Sequence, residues 1–110
     1  MKTEATGTYW ARIYIAGPLN EIEQSCREFV LSGLCVTVTA TNYIYTGGEE
    51  SGAIIELINY PRFPSTEDEI YVKARDLAIK VMEDCHQVSF TLMTPTNTIY
   101  HSRREELGVR

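Results

Sequence analysis

Between Thr39 and Pro64 the chain reads TATNYIYTGGEESGAIIELINYPRFP, and no other stretch constrains the fold as strongly. An extended run ending in Tyr43, Ile44 and Tyr45 meets Thr46-Gly47-Gly48, where glycine permits the backbone reversal that other residues resist. Ala53–Tyr60 is extended again, and Pro61 and Pro64 close it. Two adjacent strands joined by a short glycine loop predict an antiparallel hairpin.

A helix is expected on each side of that hairpin. Upstream, Thr8–Ala16 alternates as a strand, with Trp10, Arg12, Tyr14 and Ala16 against Tyr9, Ala11, Ile13 and Ile15. Gly17-Pro18 stops it. Asn20 then caps a helix running to about Ser32, whose apolar stripe is Ile22, Cys26, Phe29 and Val30, with Gly33 as its stop. Leu34–Ala40 opens the first hairpin strand. Downstream, Ser65 and Asp68 resemble a capping box for a second helix, with Ile70, Ala74, Leu77, Ala78 and Val81 as its buried stripe. Asp76 and Lys80 sit at i,i+4 as an ion pair. Val88–Met93 is a fourth strand, Thr94–Asn97 a turn, and Thr98–Ser102 a fifth strand. The order β-α-β-β-α-β-β predicts an α+β fold of ferredoxin-like split βαβ type, with two helices on one face of an antiparallel sheet. The whole of 1–110 reads as one domain, leaving a polar tail, Glu105–Arg110, to move freely or to pack on a partner.

The formal net charge of -5 argues against DNA or RNA as partner, because phosphate-backbone binding rests on clustered Lys and Arg. A small anionic ligand needs only one or two arginines. No apolar run is long enough to span a membrane, and the first residues lack a signal-peptide core, so a cytoplasmic protein is expected. Cys26, Cys35 and Cys85 lie in apolar segments without metal-ligand spacing, and read as buried free thiols of a reducing compartment. Seven Tyr, three Phe and one Trp exceed what one small core requires, which motivates homo-oligomerisation.

Catalytic chemistry finds little support. Cys85 and His86 are sequence neighbours at a helix end, so their side chains diverge by about 100° and make a poor nucleophile–base pair. No metal-binding pattern is present, and Glu49-Glu50 reads as a solvated pair. The expectation is therefore a binder rather than an enzyme, with no metal and no cofactor. Gly47-Gly48 reads as a turn more simply than as an anion nest. Arg62, stiffened between Pro61 and Pro64, suits a phosphate while Phe63 stacks on a base. Arg103 and Arg104 offer a second positive site, and Asn97 can read a base edge or ribose. The bland alternatives are a carbonyl partner for Arg62, solvation for Arg103 and Arg104, and an ordinary turn role for Asn97.

CVTVTATNYIYTGG and LINYPRFP, with the SFTL…TIYHSRR ending, resemble the phage Thoeris anti-defence protein 1 family over about Ile13–Arg104. That resemblance implies a non-enzymatic sponge that sequesters glyco-cyclic ADP-ribose, with cyclic oligonucleotides at separate sites in some members. It also implies assembly as a homodimer or a larger oligomer such as a hexamer. The matching ligand positions are Arg62, Phe63 or Phe90, Asn97, and Arg103 or Arg104, with Tyr43 and Tyr45 as further stacking surfaces. A second, local resemblance joins Arg12–Leu19, RIYIAGPL, to the first strand and loop of nucleoside 2-deoxyribosyltransferases and implies nucleoside turnover. The Asp-rich loop of that family is missing, and its parallel strands conflict with a central hairpin. A third alternative is a small ferredoxin-like interaction domain with a protein partner.

Overall fold

The computed structural model describes residues 1–106 and 108; of the tail Glu105–Arg110, Leu107, Val109 and Arg110 lie outside the described residues. The elements are β1 (Trp10–Ala16), α1 (Leu19–Phe29), a 3-10 turn (Val30–Ser32), β2 (Thr37–Tyr45), β3 (Gly48–Ile58), α2 (Glu67–Asp84), β4 (Ser89–Met93) and β5 (Thr98–Ser102). They form one sheet in the order β2-β3-β1-β4-β5, antiparallel throughout. This is the expected split βαβ arrangement, with β5 added beyond β4.

Period-two alternation decides which side chains meet the helices. Ala11, Ile13 and Ile15 of β1 stand opposite Leu57, Ile55 and Ala53 of β3, and all six are buried. Phe90 and Leu92 of β4 join them, and α1 and α2 close the core with Ile22, Cys26, Ile70, Ala74, Leu77, Ala78 and Val81. Burial of each larger aliphatic chain contributes roughly 1.5–3 kcal/mol. The opposite face is uncovered and carries Trp10, Arg12, Tyr14, Ile54, Glu56, Thr91, Met93 and Tyr100. There the Arg12 guanidinium lies 4.4 Å from the Trp10 ring centroid and 3.3 Å from Glu56.

Several local details depart from the sequence expectations. Pro18, with φ -66, takes the N-cap position of α1 and leaves Asn20 inside the first turn. The helix ends at Phe29 and tightens to Gly33, whose φ of 103 is the left-handed stop. β2 begins at Thr37 rather than Leu34, and β4 at Ser89 rather than Val88. β3 begins at Gly48 rather than Ala53, because Glu49, Glu50 and Ser51 pair with Ile44, Tyr43 and Asn42. Ladder bonding outweighs the weak strand preference of glutamate. Past the Ala16–Gly52 pair the hairpin continues as a two-stranded arm.

Thr66 and Glu69, not Ser65 and Asp68, form the capping box of α2. The Ser65 N–H instead donates to Asn59 Oδ1 at 2.7 Å, while the Asn59 amide donates to the Gly7 carbonyl at 2.8 Å. Asn59 is thus a buried tie between the amino-terminal segment and the Pro61–Pro64 corner. Lys80 pairs with Asp84 and with Glu28 of α1, whereas Asp76 pairs with Arg75. Asp84 also accepts a 2.6 Å bond from buried Ser25, which gives Lys80 a better-anchored carboxylate than Asp76 offers. Cys26 and Cys85 are buried as expected, but Cys35 is exposed, its thiol 3.5 Å from the Tyr60 hydroxyl.

Candidate functional site

Small and large residues alternate across the uncovered face, and that contrast makes it concave. Tyr14, Thr91 and Tyr100 form a row across β1, β4 and β5. Ala16, Gly52 and Ser89 lie toward the arm end of the sheet, where Tyr43 stands on β2. Tyrosines around small residues enclose a groove of about 370 Å³, lined also by Glu50 and Arg104.

Gly52 sets the depth of this groove. A Cβ there would lie 2.7 Å from Tyr43 Cε2 and 2.8 Å from Ala16 Cα, so only glycine lets the Tyr43 ring lie across the strand. The Tyr43 hydroxyl donates to the Ala53 carbonyl at 2.7 Å, and burial pushes its phenol up. The register that gives β3 its early start also puts Glu50 on the same face as Gly52. The Tyr45 hydroxyl donates to Glu50 at 3.1 Å, and that bond raises the Tyr45 phenol. On the far wall, Arg104 Nε lies 3.5 Å from the Tyr100 oxygen. Hydrogen bonds from Ser89, Arg104 and Ser102 bring the exposed Tyr100 phenol down to about 8. The groove therefore has a carboxylate at one side, a guanidinium at the other and aromatic faces between. Such faces stack on a flat base and attract a cation.

The residues expected from sequence are divided by this geometry. Tyr43 and Arg104 line the groove, and Tyr45 adjoins it through Glu50. Arg103 bonds the Gln87 carbonyl through two nitrogens, at 2.9 and 3.2 Å. Phe90 gives the groove its backbone, but its ring is 2 % exposed, faces the helices and stacks on His101 at 5.1 Å. It is a core residue, as the two-residue alternation of β4 requires.

Arg62 and Phe63 follow the opposite end of β3, where the guanidinium lies 5.5 Å from the exposed ring's centroid. Asn97 sits in the β4–β5 turn at that same end, its carbonyl accepting from the Thr94 N–H at 2.7 Å. It borders a separate cavity of about 220 Å³ with Tyr9, Trp10, Glu67, Asp68 and Tyr71. Sequence reasoning missed Tyr14, Glu50 and Tyr100 as site residues. The signal for the two tyrosines was strand alternation, which sets Tyr14 against Ile13 and Ile15, and Tyr100 against Ile99. Glu50 required knowing where β3 begins.

Among the described residues, no group of three or more His, Cys, Asp or Glu is arranged to hold a metal. No helix among them is long and apolar enough to cross a membrane. No protein-family model and no curated protein matches the sequence. Among solved structures, a phage SAM lyase in complex with S-methyl-5'-thioadenosine has a TM-score of 0.70 at 18% identity, covering 94% of this chain and 96% of that one. A phage SAM lyase in the apo state gives 0.71 at 18% identity, covering 93% and 94%. At this identity the likeness is one of fold, and it spans nearly the full length of both chains.

Proposed function

We propose that this chain binds an S-adenosyl nucleoside in the Tyr14–Tyr43–Tyr100 groove and cleaves S-adenosylmethionine there, releasing S-methyl-5'-thioadenosine. The observation that carries the reading is the groove, which sets three tyrosines and the Glu50 carboxylate at one end of the uncovered face. The shared fold with a phage SAM lyase supports it. S-adenosylmethionine presents a flat adenine, which stacks, and a sulfonium cation, which aromatic faces favour by about 0.5–2 kcal/mol. A nearby carboxylate adds Coulombic attraction.

A lyase breaks the carbon–sulfur bond without water. The bonding pair leaves with sulfur, which becomes a neutral thioether, and the four-carbon fragment closes through its own carboxylate or loses a proton to a base. Glu50 is the carboxylate beside the groove that can take this proton. Loss of the sulfonium charge weakens the attraction to the tyrosines, which favours product release.

Sequestration without cleavage is the second reading. The hydrogen bond from Tyr45 to Glu50 favours it, because it occupies an oxygen that a base would use. The cyclic ADP-ribose ligand implied by the sequence resemblance is less well matched. Its two phosphates call for paired arginines, whereas Arg104 lines the groove, Arg103 bonds a carbonyl and Arg62 stands at the other end. In either reading a second copy of the chain over the exposed aromatic face would exclude water from the groove, which light scattering in solution tests.

Incubation with S-adenosylmethionine, followed by heat denaturation and mass spectrometry, separates the readings. Lyase action yields S-methyl-5'-thioadenosine and a four-carbon fragment without oxygen-18 from labelled water. Glu50→Gln should then slow turnover by about 100-fold or more. Recovery of intact ligand from the denatured protein would establish sequestration. Absence of depletion would overturn the S-adenosyl reading, and glyco-cyclic ADP-ribose is then the ligand to test.

A further inference from the structure

At the junction of β4, β5 and the segment after β5, hydrogen-bond donors of Ser89, Tyr100, Ser102 and Arg104 gather in one corner. Arg104 Nε approaches the Tyr100 oxygen at 3.5 Å, and Ser89 and Ser102 stand as a facing pair beside it on the same face of the sheet. The Arg104 backbone N–H donates to Ser102 Oγ at 3.2 Å, which leaves the Ser102 hydroxyl proton free to point toward Tyr100. Arg104 uses its Nε for the phenol and makes no salt bridge among the described residues. Its remaining N–H groups form a fork of the kind that fits a carboxylate. The antiparallel register produces this corner, since Ser89 stands opposite Ser102, and Tyr100 opposite Thr91, on the uncovered face.

We propose that Arg104, with Ser89, Ser102 and the Tyr100 hydroxyl, forms an oxyanion-binding corner that reads the carboxylate on the amino-acid arm of the ligand. This rests on the S-adenosyl reading of the groove. The corner and Glu50 lie on opposite sides of one groove, so the arm's carboxylate meets Arg104 while Glu50 stands on the side of the sulfonium. The consequence is selectivity for the intact substrate. S-methyl-5'-thioadenosine has lost the arm and with it this contact.

Tyr100 makes the corner sensitive to pH. The charged and titratable groups that face it are Arg104 from the following segment, Glu50 from β3, Tyr14 from β1 and Tyr43 from β2. Ser89 and Thr91 approach from β4 without charge. The hydrogen bonds to Tyr100 bring ionisation to about 8, and a phenolate would repel the incoming carboxylate. Carboxylate binding should therefore weaken as pH rises through this value.

Calorimetric titration with two uncleavable nucleosides tests the corner. S-adenosylhomocysteine carries the carboxylate, and S-methyl-5'-thioadenosine does not. Arg104→Ala is expected to weaken S-adenosylhomocysteine by about tenfold or more, the scale of a charge-assisted hydrogen bond, and to leave the other ligand within about twofold. Ser89→Ala, a milder change, should weaken only the carboxylate ligand. Wild-type affinity for S-adenosylhomocysteine should fall between pH 7 and pH 9, and Tyr100→Phe should flatten that profile. Equal effects on both ligands, or none on either, would overturn the corner while leaving the groove assignment standing. A wild-type protein that binds neither nucleoside would overturn the S-adenosyl reading itself.

Discussion

Replacing Gly52 by alanine tests the packing that forms the groove. The new Cβ would lie 2.7 Å from Tyr43 Cε2 and 2.8 Å from Ala16 Cα, and would also crowd the Ile15 carbonyl. Two of these three neighbours are backbone of β1, a central strand held by β3 on one side and β4 on the other. They cannot retreat without loosening the Ile15–Ala53 and Ala16–Gly52 pairs. The third is a ring anchored through its hydroxyl at 2.7 Å to the Ala53 carbonyl. Overpacking of this kind costs about 1–3 kcal/mol, and loss of the tyrosine bond adds about 1 kcal/mol. The reduced freedom of the unfolded chain offsets about 0.4–1 kcal/mol. The net, about 1–3 kcal/mol, corresponds to a fall in Tm of about 4–12 °C for a domain of this size. Differential scanning calorimetry reads it directly. Adding Tyr43→Ala to the Gly52→Ala variant should not restore wild-type stability, because the clash with β1 backbone persists. A Gly52→Ala protein that melts at or above the wild-type temperature would refute the close approach of Tyr43 and β1 at this position.

Three further outcomes are expected. Under native conditions Cys35 should react with a thiol reagent well ahead of Cys26 and Cys85, because it is exposed, whereas Cys26 is buried and its thiol is pushed up to about 11, chiefly by burial; mass mapping of the labelled cysteine checks this. Thr66→Ala removes a capping box and should lower stability by about 1 kcal/mol in urea, with Ser65→Ala nearly silent because Ser65 uses its backbone N–H. The Lys80 and Ser25 bonds hold the Asp84 carboxyl below its ordinary value, so its contribution is complete above about pH 4 and is lost as pH falls through the depressed folded value. Asp84→Asn should therefore flatten the acid limb of a plot of urea midpoint against pH.

The element order was legible because its signals are local. Thr46 and Gly47 turn the hairpin, Pro61 and Pro64 close it, and α2 carries an apolar stripe through Ile70, Ala74, Leu77, Ala78 and Val81, all of them buried. Boundaries failed where tertiary pairing overrides preference, as at Gly48–Ser51, and where two caps compete, as at Ser65 and Thr66. The site was less legible. Arg62, Phe63 and Asn97 lie in turns rich in ligand-like side chains, but the antiparallel sheet places those turns at the opposite end from Tyr43 and Arg104. Strand direction, rather than residue type, decides which of these groups meet. Phe90 was a candidate only through the family resemblance, and its parity in β4 sends its ring into the core. Glu50 reads as solvated until pairing with Tyr43 extends β3 and brings it to the groove.

The most direct test of the groove assignment is a crystal structure of the protein soaked with S-methyl-5'-thioadenosine. Density for the adenine is expected among Tyr14, Tyr43 and Tyr100, with the thioether within reach of the Glu50 side chain. A nucleoside found instead in the cavity of Tyr9, Trp10 and Tyr71, or beside Arg62 and Phe63, would contradict it.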